Sequence, residues 1–328
     1  PLAIETLLAF FLESTFLGMW IFGWHRLRRG VHLALLYGVA LTAYASAFWV
    51  MAANSWLQNP VGYEIRDGVA HLTDFAALLT NPTFGVAFGH VVFAALLTGG
   101  MLMASVSAWH LIRRTADHHL FRTSLRIGLT TAVVSLVFVI GFGLAQFVAI
   151  APVQPMKYGD EAAKAAAVAE WTARFGPGDY TPPVLAAASL GFMVLIGFGL
   201  GWGALLLPLL FRDWIIRLRF PLYLILFATP LPFVAAILGW LAREVGRQPW
   251  AVYGLLPVDQ AVSPVDAPVM LASFIGFTLL LGSLAVTNWI LFARHAHRGA
   301  HDPALGRPPQ PPVGAPGMAG PWPGSVLA

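Results

Sequence analysis

The sequence contains no cysteine, and only 10% of its 328 residues are charged. Without cysteine the chain has no disulfide, no thiolate nucleophile and no thiolate-bound iron–sulfur cluster. The scarcity of charge, with a hydrophobic content of 58% and a mean hydropathy of +0.73, excludes an ordinary soluble domain and is typical of an integral membrane protein. This composition predicts a lipid bilayer as the surroundings of the chain. The net charge of +4 is small, so we expect no nucleic acid as a partner.

The chain also lacks an initiating methionine. It begins at Pro1, directly inside an apolar run with no basic flank. This is neither a signal peptide nor a natural start, so we expect a segment to be missing before Pro1.

Long apolar runs are abundant, and seven of them are long enough to cross about 30 Å of hydrocarbon. These continuous runs predict an all-α fold, a polytopic bundle of transmembrane helices, and they exclude a closed barrel of alternating strands. We expect residues 1–294 to form the bundle and residues 295–328, rich in Pro and Gly, to form a disordered cytoplasmic tail. The predicted spans lie near residues 1–24, 31–57, 83–112, 124–149, 183–211, 219–242 and 266–293.

The basic residues predict the orientation of the bundle. Most of the 19 Lys and Arg residues fall in alternate connectors, for example the one that follows the third span, and in the tail. The positive-inside rule places those segments in the cytoplasm. The loops at 58–82, 150–182 and 243–265 are then expected outside.

Two acids lie inside the first span, in "PLAIETLLAFFLESTF". A carboxylate in mid-membrane costs about 2.5–3.5 kcal/mol on insertion scales, so it is normally paired or functional. Glu5 and Glu13 are eight residues apart, which places them on roughly one face of a helix. They are either bonded to neighbouring helices or part of a proton path.

His90 lies well inside the third span, among small residues such as Gly89 and Gly99. Small residues admit a flat cofactor or a second helix, and a neutral imidazole is a standard axial ligand of haem. Met193, in "SLGFMVLIGFG", lies at a similar depth in the fifth span and would complete a His/Met pair. A satisfied core histidine and a core methionine are the alternatives.

The outer end of the sixth span carries a cluster of functional side chains in "GWLAREVGRQPW". Glu244 is a candidate anionic ligand, and the guanidinium of Arg247 suits a carboxylate such as a haem propionate. Trp240 either packs on a macrocycle or belongs to the aromatic belt at the membrane interface. An ordinary outer cap of the helix is the alternative for the cluster.

The outer loop at 150–182 is polar, and its middle is predicted to form a short amphipathic helix at the membrane surface. It is either a solvated connector or a site for an amphiphilic substrate that arrives from the bilayer.

Several stretches together resemble subunit I of the cytochrome bd quinol oxidases. They are "PLAIETLLAFFLESTFLGMWIFGW" (1–24), "SAFWVMAANSWLQNPVG" (46–62), "FGHVVFAALLTGGMLMASVSAWHL" (88–111), "VQPMK" (153–157) and "GWLAREVGRQPWAVYGLLP" (239–257).

The resemblance implies a function and roles for the matching residues. It implies a quinol oxidase that oxidises quinol at the outer face and reduces O2 to water with cytoplasmic protons. His90 would bind the iron of a low-spin haem b and Glu244 that of a high-spin haem b, with Arg247 near a propionate. Glu5 and Glu13 would lie beside the oxygen site and on the proton route. Lys157 would belong to the quinol-oxidising loop.

The resemblance also implies components that the chain does not carry. The family has nine membrane helices, two of them before "PLAIE", and the first carries the histidine that binds haem d. The chain as given would not complete the oxygen site, and whether haem d or a further haem b occupies that site is open. Subunit II is the expected partner, and the bacterial cytoplasmic (inner) membrane is the expected location.

Two positions depart from the family pattern. The second ligand of the low-spin haem is a methionine that aligns with Leu195, and the glycines of "IGFG" favour a register in which Leu195, rather than Met193, faces His90. The family glutamate five residues after the lysine would fall at Ala162, so Glu161 is the candidate quinol residue beside Lys157. An alternative register of the loop uses Lys164 and Glu170.

Two other functions remain as alternatives. The departures are compatible with a degenerate paralogue that has a structural or regulatory role. A secondary transporter is disfavoured because the sequence shows no internal symmetry of broken helices.

Overall fold

Among the residues that the structure describes, seven helices are long and apolar enough to cross a membrane, as the predicted all-α bundle requires. The structure is a computed structural model that describes residues 1–24, 26–115, 117–205 and 218–299. The spanning helices are α1 (Leu2–Phe22), α2 (Arg29–Gln58), α4 (Pro82–Arg113), α5 (His118–Ile150), α8 (Val184–Ala204), α9 (Arg219–Val245) and α10 (Ala267–Arg298).

Helix boundaries differ from the predicted spans by a few residues, because polar ends of a helix extend beyond the apolar window. The last helix continues to Arg298, so residues 295–298 of the predicted tail are helical. The rest of that tail, from residue 300, lies outside the described residues, as does the end of the fifth predicted span beyond residue 205.

The bundle is held most closely where α4 crosses α5. A Cβ on Gly100 would lie 2.6 Å from the carbonyl oxygen of Gly128, and a Cβ on Gly128 would lie 2.7 Å from that of Gly100. Ala104 and Ala132 follow four residues later on the two helices and are almost fully buried. This reciprocal pattern of small residues lets the two backbones touch, which is how helices associate in lipid.

Helix α1 is irregular. Its residues Glu5–Phe10 form a π-helical segment, and the α-helical part continues from Phe11 to Phe22. A π-segment accommodates about one extra residue per turn and is frequent at functional sites.

Short elements connect the spans at one end of the bundle. They are the antiparallel strands β1 (Tyr63–Arg66) and β2 (Val69–Leu72), the helices α3 (Phe75–Leu79), α6 (Pro155–Tyr158) and α7 (Glu161–Phe175), and the strands β3 (Trp250–Val252) and β4 (Leu256–Pro257). The two small sheets were not predicted, whereas α7 is the amphipathic helix expected in the loop at 150–182.

Side-chain caps fix where these elements begin. Asp160 accepts a hydrogen bond from the Ala163 amide (2.8 Å) at the start of α7. Asn81 does the same for Thr83 (3.1 Å) at the start of α4. Because each cap satisfies an amide that the helix leaves free, the loops enter the bundle at defined positions.

Candidate functional site

The last turn of α9 meets the end of α2 in a partly buried polar network. Arg243 Nε donates to Asn54 Oδ1 (2.5 Å), and Arg243 Nη2 lies 3.3 Å from Ser55 Oγ. Asn54 and Ser55 are buried, although they belong to an apolar helix. A polar group buried in this way is costly unless it is bonded, so the network fixes how α2 and α9 pack.

The Glu244 side chain points towards the second spanning helix, α2. Its Oε1 accepts a hydrogen bond from Asn54 Nδ2 (2.6 Å) and its Oε2 pairs with Arg247 Nη2 (2.8 Å). The Glu244 side chain is 27% exposed. The carboxylate is therefore held in one orientation by an amide and a guanidinium and keeps further lone pairs for a ligand interaction.

Arg247 is the cation of this corner, and its side chain is only 12% exposed. Its Nη2 donates to Glu244, while its buried Nε and Nη1 find no hydrogen-bond partner among the described residues. Two unsatisfied donors on a buried guanidinium carry an energetic cost that a bound anion removes. A carboxylate such as a haem propionate has the matching bidentate chemistry.

The outer loop enters the same network. Gln154 is fully buried and its Nε2 donates to the main-chain oxygen (2.5 Å) and to Oε1 (2.9 Å) of Gln58. Lys157 Nζ donates to Gln58 Oε1 and to the main-chain oxygen of Arg243, each at 3.2 Å. Burial, together with the nearby guanidinium of Arg243, lowers the pKa of Lys157 to about 7. We use the name corner network for seven residues: Asn54, Gln58, Gln154, Lys157, Arg243, Glu244 and Arg247.

An aromatic cluster covers the side of the corner where the loop at 150–182 lies. Trp250 is 2% exposed, stacks on Tyr180 at 5.6 Å and meets Trp171 of α7 edge-on at 5.1 Å. Tyr253 belongs to the same cluster, and its amide donates to the Leu57 carbonyl at the end of α2 (3.0 Å). The outer loop is thus packed onto the "GRQPW" segment rather than free in solvent.

His90 lies half-buried between α4 and α5. Its Nδ1 donates to the main-chain oxygen of Val139 (2.9 Å), which leaves Nε2 of a neutral ring as the free acceptor. Gly143 makes room for the ring, since a Cβ there would lie 3.4 Å from His90 Cε1. A carbonyl bond at one ring nitrogen is the usual arrangement for a histidine that binds a metal through the other.

The small residues around His90 divide into two groups. A Cβ on Gly89 would lie 2.6 Å from the ring of Phe142, so this glycine admits a neighbouring side chain. Gly85 and Gly99 have open space where a side chain would stand. Gly89 therefore serves helix packing, whereas Gly85 and Gly99 leave room beside α4.

Leu195 was expected to face His90 in place of Met193, and that choice stays a prediction. Leu195 is 67% exposed, whereas Met193 is half-buried against α9. A Cβ on Gly239 would lie 2.7 Å from the Met193 sulfur, so the thioether fills the space that this glycine leaves. The packing partner on α9 sets the rotation of α8, and the thioether is the group held inside.

Glu5 and Glu13 are both half-buried on α1. Glu5 Oε1 accepts a hydrogen bond from Ser46 Oγ on α2 (2.6 Å). In a regular helix, eight residues would leave the two acids about 80° apart. The π-segment between them takes up one residue, which reduces the angle to about 20° and brings both acids onto one face.

A cavity of about 560 Å³ opens on the outer loop. Its lining mixes apolar side chains of α6 and α7 with the Glu161–Lys164 ion pair (2.7 Å). Glu161 therefore lines this cavity. Lys157, predicted beside it, is instead bonded inside the corner network.

Trp240 is 46% exposed on α9, one turn before Glu244. Four polar residues of the corner were not singled out from the sequence: Asn54, Gln58, Gln154 and Arg243. The signal was present in the blocks "NSWLQNP" and "VQPMK", because amides at the end of an apolar helix and a lysine after it need partners.

The comparisons with known proteins agree with this geometry. The family model described as cytochrome bd terminal oxidase subunit I matches residues 1–176 and 160–300. Cytochrome bd ubiquinol oxidase subunit 1 of Bacillus subtilis is 35% identical over 92% of the chain and 75% of its own length. Cytochrome bd-II ubiquinol oxidase subunit 1 of Escherichia coli is 25% identical over 91% of the chain and 79% of its own length.

A solved structure has the same fold. The bd oxidase from Geobacillus thermodenitrificans superposes with a TM-score of 0.77 at 25% identity, covering 92% of this chain and 78% of that one.

Proposed function

Because the chain belongs to the cytochrome bd terminal oxidase subunit I family, we propose that it is the haem-bearing catalytic subunit of a quinol oxidase. It oxidises membrane quinol at the outer face and reduces O2 to water with protons taken from the cytoplasm. The observation that carries the proposal is the corner network, in which three separate sequence blocks converge on Glu244 and on a buried Arg247 with two unpartnered donors.

The residues present fit haem at two places. His90, whose Nε2 is free, and Met193 are the ligands proposed for a low-spin haem b. Glu244 is the ligand proposed for a high-spin haem b, with Arg247 on a propionate and Trp240 against the macrocycle. A third group, haem d or a further haem b, is proposed for the oxygen site. When bound, haem supplies one-electron redox chemistry.

The protein's own groups hold charge and protons in place. Arg247 neutralises anionic charge at a site where water is scarce, so its effect is larger than it would be on a surface. Glu5 and Glu13 share one face of α1 and are proposed to hold protons on their way to the oxygen site. Ser46 fixes the Glu5 carboxylate from the neighbouring helix.

Quinol is proposed to bind at the outer loop. The cavity there offers apolar walls for a ring and the Glu161 carboxylate as an acceptor of its protons. Lys157 belongs to the same loop. The assembly is completed by subunit II in the bacterial inner membrane, with the loops at 58–82, 150–182 and 243–265 outside.

The test is to express the full gene with its subunit II partner in a strain without other oxidases. We expect quinol-dependent O2 uptake and haem b bands in the reduced-minus-oxidised spectrum. Glu244→Gln should remove the high-spin haem b signal and lower O2 uptake at least about tenfold. Glu64→Gln, on an exposed strand, is the matched control. A protein that binds no haem when complete would instead have the structural role of a degenerate paralogue.

A further inference from the structure

Lys157 lies in the outer loop of the sequence, but its side chain contacts the ends of α2 and α9. Its Nζ donates to Gln58 Oε1 at the end of α2 and to the Arg243 carbonyl at the end of α9. The loop's cavity is lined by the other lysine, Lys164. The two lysines of the loop therefore have different surroundings, one inside the corner and one at the cavity.

Gly246 explains how Lys157 reaches that position. A Cβ on Gly246 would lie 2.6 Å from Lys157 Cε and 3.3 Å from its Nζ, and 2.4 Å from the Ala242 carbonyl. The aliphatic part of the Lys157 side chain thus passes the backbone of the "GRQPW" segment at Gly246, in the space that a Cβ would otherwise occupy. The φ of Gly246 is −68°, so its conformation does not require glycine, but a Cβ here would collide with both the lysine side chain and the Ala242 carbonyl.

A continuous set of bonds runs from Lys157 to the proposed haem corner. Lys157 and Gln58 share the carbonyl of Arg243, to which Gln58 Nε2 also donates (3.2 Å). The Arg243 side chain bonds Asn54, Asn54 bonds Glu244, and Glu244 pairs with Arg247. Each member is held by the next, so removal of the first loosens the orientation of the last.

We propose that Lys157 is a positioning residue: through Gly246 it fastens the outer loop to the corner network and so holds Glu244 and Arg247 in place. The inference rests on the proposed function in that Glu244 and Arg247 are taken as the haem-holding pair. Lys157 does not need to touch quinol for this role; Lys164 and Glu161 face the cavity.

The experiment compares two pairs of variants in the complete oxidase with its partner subunit. Lys157→Met removes the hydrogen bonds of Lys157 Nζ, and Gly246→Ala fills the space through which the lysine side chain passes. Lys164→Met changes the other lysine of the loop, and Gly178→Ala changes a glycine whose Cβ would make only ordinary contacts, the nearest at 3.7 Å from Tyr180. The readouts are kcat and KM for a short-chain quinol, the spectrum and midpoint potential of the high-spin haem b, and tryptic cleavage after Arg174.

We expect Lys157→Met and Gly246→Ala to lower kcat about tenfold with KM within about twofold, as for loss of an outer-shell partner. Both should shift the midpoint potential of the high-spin haem b and speed tryptic cleavage after the exposed Arg174. The double variant should lower kcat by less than the product of the two single effects, because both disturb the contact between Lys157 and Gly246. Lys157→Arg, which keeps a donor, should partly restore kcat. Lys164→Met should raise KM and leave the haem spectrum unchanged.

A rise in KM alone for Lys157→Met, with the wild-type haem spectrum and potential, would place Lys157 at the substrate and overturn the proposal. The proposal would also be overturned if Gly246→Ala and Gly178→Ala had the same kcat, haem spectrum and tryptic cleavage. If the wild-type oxidase binds no haem, the proposed function fails, while tryptic cleavage still tests whether Lys157 fastens the loop.

Discussion

At the scale of single residues, a chain with few charges places several of them in one corner. Arg243, Glu244, Arg247 and Lys157 lie there with buried amides between them. Charges of both signs desolvated together keep their orientation, because each bond is stronger in low dielectric and each loss is expensive. A site that must hold a large anionic cofactor benefits from such fixed donors.

His90 is expected to be required for the low-spin haem b. Since Val139 holds Nδ1, only Nε2 is available, and His90→Ala removes the ligand without removing a helix contact of α4 with α5 at Gly100. The reduced-minus-oxidised spectrum of the complete oxidase should lose the low-spin band. His71→Ala, on exposed strand β2, should leave it intact. An unchanged band in His90→Ala would disprove the assignment.

Met193 is expected to supply the second ligand of that haem. The thioether is held inside against Gly239, while Leu195 is exposed. Met193→Leu keeps the volume but removes the donor, so the haem should become five-coordinate and bind CO. The control Leu195→Ala should give the wild-type CO difference spectrum. If Met193→Leu also behaves as wild type, another group ligates the iron.

At the scale of secondary-structure elements, small residues decide how closely the helices approach. The π-segment of α1 turns two acids onto one face, and the glycines of α4 and α5 bring two backbones into contact. In lipid there is little hydrophobic drive between helices, so this close packing supplies much of the association.

The α4–α5 crossing gives a prediction for stability. Gly100→Ala and Gly128→Ala each place a Cβ within 2.8 Å of backbone atoms of the partner helix, so the helices must separate. We expect each to destabilise the bundle by about 1–3 kcal/mol, as overpacking does in a core. Thermal unfolding in detergent measures it. Gly99→Ala, next to Gly100 but with open space around the new methyl, should be neutral, and an equal loss in all three would contradict the packing argument.

At the scale of the whole molecule, the number of spans followed from the sequence because length and apolarity alone decide whether a segment can cross a bilayer. The proposal of His90, Glu244 and Arg247 as site residues also came from local patterns and from the family resemblance. The packing of Met193 did not, because its partner Gly239 lies on another helix. The position of Lys157 likewise depends on Gly246, which is distant in sequence.

The orientation of the chain in the membrane can be tested by labelling introduced cysteines, because this sequence contains none of its own. His71, on exposed β2, lies in a loop predicted outside, and His119, exposed at the start of α5, lies in an arginine-rich connector predicted inside. His71→Cys should react with a membrane-impermeant maleimide on intact spheroplasts. His119→Cys should react only after lysis, because the bilayer separates it from the reagent. The opposite pattern would invert the topology and move the proposed quinol site to the cytoplasmic face.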